Sequence, residues 1–356
     1  MVRCDSRIPT AKVFTIYSIA ILLIKMQSAL FISALVGASA LDLSAPVHSR
    51  SASMIAEINS KATTWKAGPN RKFENATIGD VKHLLGTVLP HEVGYLEPEL
   101  EKKSFLTSSA AIPEAFDVRT NWPECAAITG MVRDQSNCGS CWAFGSTEAY
   151  NDRRCIQTGD ATTVLSPEDT LACCSGLSCG FSMGCNGGQP SGAWKFFTTK
   201  GVTTGGNWED VDTGKTCKPY GSQSCAHHVE SDEYVSCNDV PSYKTPKCTA
   251  ECSDSSYATP YSKDKYFAKT SYSVKGVENM QKELMEKGTL SVSLTVYEDF
   301  EAYTSGVYQH VTGKNLGGHA IKMVGWGVDN GTPYWPCVNS WNDSWGEDGI
   351  FRILRG

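Results

Sequence analysis

The chain predicts an α+β fold in two lobes, helical first and β-rich second. Three observations carry this. After about residue 110 the segments open with helix signals and close with strand signals. A Cys-x-x-Cys pair, Cys138 and Cys141, stands directly before a stretch that reads as a helix. Most of the 15 cysteines fall between Cys125 and Cys252, a density that suits an oxidising compartment.

The elements follow in order. Cys141 to about Gln157 is compatible with a helix burying Trp142, Ala143, Ala149, Tyr150 and Ile156. Ser166-Pro-Glu-Asp169 is a helix start: a capping serine, a proline in the first turn, then acids at the positive dipole end. Pro190 to Lys200 is a third helix, closed by Gly201. From Asn207 to Tyr272 no period survives, and the chain reads as long cross-linked loops. A short helix at Val277–Lys287 precedes strands at Leu290–Tyr297, His319–Gly327, Pro333–Trp341 and Gly349–Leu354. Pro336 is expected to weaken the third strand, because proline donates no ladder hydrogen bond.

The first 109 residues differ in kind. Arg3, Arg7 and Lys12 precede an apolar run from Val13 to Ile24; Lys25 breaks it, and a second run covers Ala29 to Ala40. Ala38-Ser-Ala40 has the form of a signal cleavage site, so residues 1–40 read as a leader. A membrane anchor spanning both runs is the alternative, and Lys25 speaks against it. Leu41 to Ser109 carries few cysteines and ends in a charged, then small and polar stretch, the composition of a cleavable linker. The chain has 356 residues, enough for two lobes plus processed segments. Its net charge of −6, with no block of Lys and Arg, argues against nucleic acid as a partner.

A cysteine at a helix start faces unpaired N–H groups and the positive dipole end, which favour the nucleophilic thiolate. On this reading Cys141 is the nucleophile. A redox pair with Cys138, or a zinc site, is the competing reading; the first lacks a βαβ context, and for the second Cys173-Cys174 or Cys248 with Cys252 could supply a second ligand pair, though disulfides explain those more simply. A thiolate needs a base that takes and returns a proton, and His319 in Gly317-Gly-His-Ala320 suits that role. Asn339 is a candidate to orient the imidazole, and Trp341 to shield that bond. Gln135 and the Cys141 backbone N–H are candidate oxyanion donors.

Taken together these motifs resemble the papain family of cysteine proteases, on its cathepsin B-like side. Thr64-Trp-Lys-Ala-Gly68, Phe116-Asp117, Gln135 to Phe144, Gly184-Cys-Asn-Gly-Gly188, His227-His228, Gly318-His-Ala320 and Asn339-Ser-Trp341 occur in family order. The resemblance implies a papain-like fold, with a helical left lobe, a β-barrel-like right lobe and the active-site cleft between them. It implies an inhibitory propeptide at 41–109, with Lys82 to Leu89 across the cleft and Gly86 near the sulfur, and a peptidase domain at 110–356. Cys141 and His319 would form a thiolate–imidazolium pair. Gly187, Gly188 and Trp341 would contact the substrate. Residues 225–237 would form an occluding loop whose His227 and His228 bind a C-terminal carboxylate, adding peptidyl-dipeptidase activity to endopeptidase activity. An inserted loop also explains why His319 follows Cys141 by 178 residues rather than roughly 130–150.

The family's disulfides would pair Cys125 with Cys155, Cys138 with Cys185, Cys173 with Cys248, Cys174 with Cys179, Cys217 with Cys252 and Cys225 with Cys237. No metal or cofactor is implied. The implied partners are protein and peptide substrates, the chain's own propeptide and cystatin-like inhibitors. No stable membrane anchor is expected after processing, and the implied location is the secretory pathway, lysosomal or extracellular. Departures stand beside these implications. Ser136 replaces a usual glycine, and Gln189 replaces an aromatic residue, which predicts a more polar subsite. Glu233-Tyr234 and Ser344 replace an Arg–Asp pair that clamps the loop; the other clamp, His227 with Asp134, is kept. Relatives continue past the position of Gly356 with a segment that completes the β lobe. Its absence here predicts lower stability and leaves one subsite undefined. A disulfide-held binding protein that has lost turnover is the alternative reading.

Overall fold

The computed structural model describes residues 42–46, 52–62, 64–73, 76–90, 92, 95, 100–103, 111–226 and 231–356. The leader at 1–40 and the stretch 104–110 lie outside these residues, as do Asn75, His227 and His228. Ser44 to Gly356 cluster as one unit, the one described below.

Helix α1 (Ala52–Lys61) buries Met54 and Ile58, four residues apart on one face. Strand β1 is Trp65–Ala67. Helix α2 (Ile78–Leu84) begins in a capping box: Thr77 Oγ1 accepts from Asp80 N, and Thr77 N donates back to Asp80 Oδ2. After β2 (Glu101–Lys103) and β3 (Phe116–Asp117) come the short helices α3 (Val118–Asn121) and α4 (Ala126–Thr129). Helix α5 (Cys141–Thr158) stops at Gly159, whose φ of +74° suits glycine and whose N–H reaches Cys155 O at 2.7 Å. Ser166 Oγ caps α6 (Pro167–Cys173) through Asp169 N at 2.9 Å, and α7 spans Pro190–Thr199. These helices enclose a core of Trp142, Phe144, Tyr150, Leu171, Phe197 and Tyr220. Each large apolar side chain so buried stabilises by about 1.5–3 kcal/mol.

The second lobe follows β4 (Cys225–Ala226), β5 (Val235–Ser236), β6 (Tyr272–Val274) and α8 (Val277–Lys287). Its strands are β7 (Leu290–Tyr297), β8 (Tyr303–Tyr308), β9 (Asn315–Met323), β10 (Gly325–Asp329), β11 (Thr332–Val338) and β12 (Ile350–Leu354). The main sheet runs β1-β8-β12-β11-β10-β3, and β9 pairs with both β11 and β7. Among the described residues it is an open sheet, not a closed barrel. Phe300, Trp341, Trp345 and Phe351 pack ring to ring beneath it.

Three sequence expectations change here. The strand read over His319–Gly327 is two strands, parted at Val324, whose N–H donates to Pro336 O at 3.0 Å. The proline sits within β11 all the same. There β9 reaches only Cys337 and Val338, while β10 reaches only Thr332 to Tyr334, so Pro336 lies at the seam between two neighbours. Strand β8 was not read from the sequence. It ends the sheet for β1, which docks on Gly306 at φ +94°, where a Cβ would stand 2.4 Å from Thr64 O. Six disulfides join Cys125–Cys155, Cys138–Cys185, Cys173–Cys248, Cys174–Cys179, Cys217–Cys252 and Cys225–Cys237. Cys141 and Cys337 are free and buried.

Candidate active site

Ser140 precedes α5, so Cys141 is the first residue of the helix. Its sulfur is fully buried. Burial alone raises the thiol pKa. His319 opposes this by charge and as a hydrogen-bond donor, and Thr87 and the backbone of Ala320 add to it. The net pKa lies below that of an ordinary thiol.

His319 lies on β9, fully buried. Its Nε2 donates to Asn339 Oδ1 at 2.7 Å, because an amide oxygen only accepts. That leaves Nδ1 without a bond of regular geometry, available for the thiol proton. Asn339 follows the end of β11, and its Oδ1 is further held by Ser340 N at 2.9 Å. The Trp341 ring lies 5.1 Å from the His319 ring. It is fully buried, with Phe73 at 5.9 Å on it. Gln135 is anchored by Ser340, through N to Ser340 O at 2.8 Å and Oε1 from Ser340 Oγ at 2.7 Å. Its Nε2 donates to Cys138 O at 2.7 Å and Leu84 O at 3.0 Å.

The segment after α2 fills the cleft. Thr87 N donates to Gly318 O at 3.1 Å, Gly188 N to Gly86 O at 2.7 Å and Val88 N to Gly188 O at 3.3 Å. Thr87 Oγ1 stands 3.2 Å from Cys141 Sγ. Glycine is required on both sides of this contact. A Cβ on Gly86 would lie 1.8 Å from Gly139 O, and one on Gly188 would lie 2.6 Å from Ser182 Oγ and from the Trp142 ring. Gly187, at φ +105°, continues the same strip.

Asp134 supports the loop before the cysteine. Its Oδ1 accepts from Ser136 N at 2.7 Å, which holds Ser136 at φ +53° where a glycine would be at ease. Its Oδ2 accepts from Cys225 N at 2.8 Å and Asn342 Nδ2 at 2.9 Å, tying down the base of the loop closed by Cys225–Cys237. Beyond that base, Tyr234 shares a hydrogen bond with Asp343; burial first, then this carboxylate, hold the phenol well above its usual range. A phenol–carboxylate contact thus stands where an ion pair was read as lost. Gln189 forms no open polar subsite. It is buried, and its amide donates to Gly180 O at 3.2 Å.

Sequence reasoning missed Lys72. It is buried beside Asp134 and donates to Ser136 O at 3.3 Å; burial lowers its pKa to about 8, and Asp134 pulls the other way. No motif marks it in the sequence. Thr87 was missed because a threonine in a loop carries no signal of its own.

The papain family cysteine protease profile matches residues 112–356, and the C1 peptidase propeptide profile matches 51–91. Cathepsin B-like cysteine proteinase 5 of Caenorhabditis elegans is 50% identical over 270 residues, 74% of this chain and 76% of that protein. Cathepsin B-like cysteine proteinase 4 of the same organism is 46% identical over 302 residues, 83% and 85%. Among solved structures, procathepsin B S9 from Trypanosoma congolense superposes with a TM-score of 0.70 at 33% identity, covering 88% of this chain and 94% of that one. Digestive procathepsin L 3 of Tenebrio molitor, at 20% identity and a TM-score of 0.59, shares the fold over 85% and 83%. With a peptidase profile over most of its length and a propeptide profile ahead of it, this chain belongs to the papain family of cysteine proteases, as a cathepsin B-like member.

Proposed function

We propose that this cysteine peptidase is a secretory-pathway zymogen that cleaves peptide bonds through an acyl-enzyme. Residues 1–40 are the leader, 41–109 the inhibitory propeptide and 110–356 the enzyme. The observation that carries the reading is the Cys141–His319–Asn339 arrangement, with the thiol pKa lowered despite full burial. The Cys141 thiolate attacks the carbonyl carbon, and the oxyanion is held by Gln135 Nε2 and the Cys141 N–H. The C–N bond breaks as His319 gives its proton to the leaving amine. Water, deprotonated by His319, then splits the thioester and frees the acid. Asn339 keeps Nε2 engaged so that Nδ1 serves the sulfur. Leu84 O on Gln135 and Thr87 on the sulfur support the reading that propeptide removal frees both groups.

The first test is acid activation followed by titration with a thiol-directed epoxide. Labelling of Cys141 in step with loss of cleavage is expected; cleavage that survives full labelling refutes the mechanism. Peptidyl-dipeptidase activity is the finer reading. His227 and His228 would take the substrate carboxylate, and Tyr234 with Asp343 would clamp the loop less firmly than two opposite charges. Endopeptidase activity is therefore expected to dominate. A strong, pH-stable preference for C-terminal dipeptides over internal cleavage would contradict this.

A further inference from the structure

One stripe of the central helix continues past the sulfur. Cys141, Gly145, Glu148 and Asp152 follow one another at helical spacing on α5. Strand β9 crosses that stripe. The two backbones meet at Gly145, where a Cβ would lie 3.0 Å from Ile321 N and 3.2 Å from Ala320 C. One turn before this point, Cys141 faces His319. One and two turns after it, two carboxylates face Lys322, which is also on β9. Lys322 Nζ stands 3.2 Å from Asp152 Oδ2 and 3.8 Å from Glu148 Oε2, and it donates to Thr129 O at 3.2 Å. Lys322 and Asp152 are fully buried and Glu148 is 5% exposed. None of the three enters the chemistry above.

Buried ion clusters are a poor source of stability, since well-packed apolar residues usually do as well or better. This one is also incompletely satisfied: Glu148 Oε1 has no hydrogen bond. Its value has to be sought in geometry. A helix and a strand whose backbones meet closely at a glycine can pivot about that approach. Fixing their separation on one side of it fixes the separation on the other.

We propose that Lys322, Glu148 and Asp152 form a brace that sets the distance between Cys141 and His319 across the Gly145 contact. The proposal rests on the peptidase reading, and the three are positioning residues. Glu148 faces Lys322 from β9, Arg133 from the loop before α5 and Asp152 on its own helix; Asp152 faces Lys322, Arg153 and the Thr289 hydroxyl. Burial first, then Asp152, raises the Glu148 pKa to about 7 against Lys322 and Arg133. Burial likewise raises Asp152 against Lys322. Glu148 therefore gains its charge as pH rises through about 7, beside Lys322, Arg133 and Asp152.

The test uses the full chain and its Lys322→Met, Lys322→Arg and Glu148→Gln variants, with the propeptide removed by pepsin in acid. The rate of thiol reaction with a pyridyl disulfide is followed against pH, beside kcat and KM on a peptide. Lys322→Met is expected to move the thiolate profile upward and to lower kcat about 10- to 100-fold with little change in KM. Lys322→Arg returns most of the loss. Glu148→Gln keeps the low-pH rate and removes the inflection near 7. A folded Lys322→Met with the parent profile and kcat overturns the brace. If that variant does not fold, Glu148→Gln decides, and an inflection near 7 that persists overturns it. Because the thiol profile needs no peptide cleavage, failure of the peptidase reading is seen separately, as a reactive thiol without turnover.

Discussion

Among the described residues two cysteines stand outside the disulfides, one at the start of α5 and one inside β11, and their surroundings differ in one respect. Cys141 and Cys337 are buried to the same degree, 0% and 1% exposed. Burial pushes both thiols up. For Cys337 nothing opposes it: the pKa stays well above the ordinary range, and the nearest acceptor is Trp335 O at 3.8 Å. For Cys141 the His319 charge and proton, with Thr87 and the Ala320 backbone, outweigh burial. Exposure therefore does not separate the two sulfurs here. The partner does, and so does the helix start, which leaves N–H groups free to face an anion.

The largest expected effect breaks the pair apart. Cys141→Ala should lower peptide cleavage by on the order of 10⁵-fold or more, as removal of a nucleophile does elsewhere, while Cys337→Ala keeps the parent kcat. Iodoacetamide labelling of the propeptide-free protein, read by peptide mass, checks the same point; alkylation at Cys337 first would reverse it. The next effect makes the two sulfurs alike. His319→Ala leaves Cys141 buried with only weak partners, so its thiolate fraction in mild acid should fall. The sign follows from the direction of the shift: His319 lowers the pKa, so its loss is felt below the ordinary thiol pKa and fades as pH rises above it. The rate of thiol reaction against pH reports this, and an unchanged profile would show that the helix end alone suffices.

The same contrast explains what the chain made legible. Cys141, His319, Asn339 and Gln135 each stand in a short motif, and the fold brings all four to one point. The helix over 167–173 announced itself through its capping serine and the helix over 190–199 through the glycine that closes it. What could not be read was set by distant partners. Strand β8 carries a glycine at positive φ and is held between β12 and β1, the latter over 230 residues earlier in the chain. Pro336 in β11 looked disruptive because the seam between β9 and β10 is a property of the sheet, not of the strand. Lys72 and Lys322 carry no sequence signal of their own, and each is buried against a carboxylate supplied from elsewhere in the chain.

In the zymogen the propeptide hides the difference between the two sulfurs, and a third change should sharpen it. Gly86→Ala places a methyl 1.8 Å from Gly139 O, which backbone cannot yield cheaply. Overpacking of this kind costs about 1–3 kcal/mol, so inhibition by the propeptide added in trans should weaken about 5- to 150-fold. An inhibition constant equal to that of the parent segment would mean that the Gly86–Gly139 approach is not needed. Ala at Gly86 leaves the peptidase domain untouched, so kcat of the free enzyme serves as the control.

The smallest effect applies the same lesson to a second matched pair. Asn330-Gly-Thr332 and Asn342-Asp-Ser344 are both acceptor sequences for N-linked glycan. Asn330 is exposed at φ +48° in the two-residue turn between β10 and β11. Asn342 is 4% exposed, and its Nδ2 donates to Asp134 Oδ2 at 2.9 Å and to Cys225 O. A glycan on that nitrogen replaces one of its two N–H bonds, so the hydrogen bonds to Asp134 and to Cys225 O cannot both be kept. Secretion from a eukaryotic host followed by peptide mass mapping should find glycan at Asn330 and none at Asn342 in folded, active protein. Asn330→Gln should leave kcat unchanged, because the turn residue touches nothing in the core. Active enzyme carrying glycan at Asn342 would show that the Asp134 contacts are dispensable, and with them the argument that surroundings rather than motif decide what each residue does.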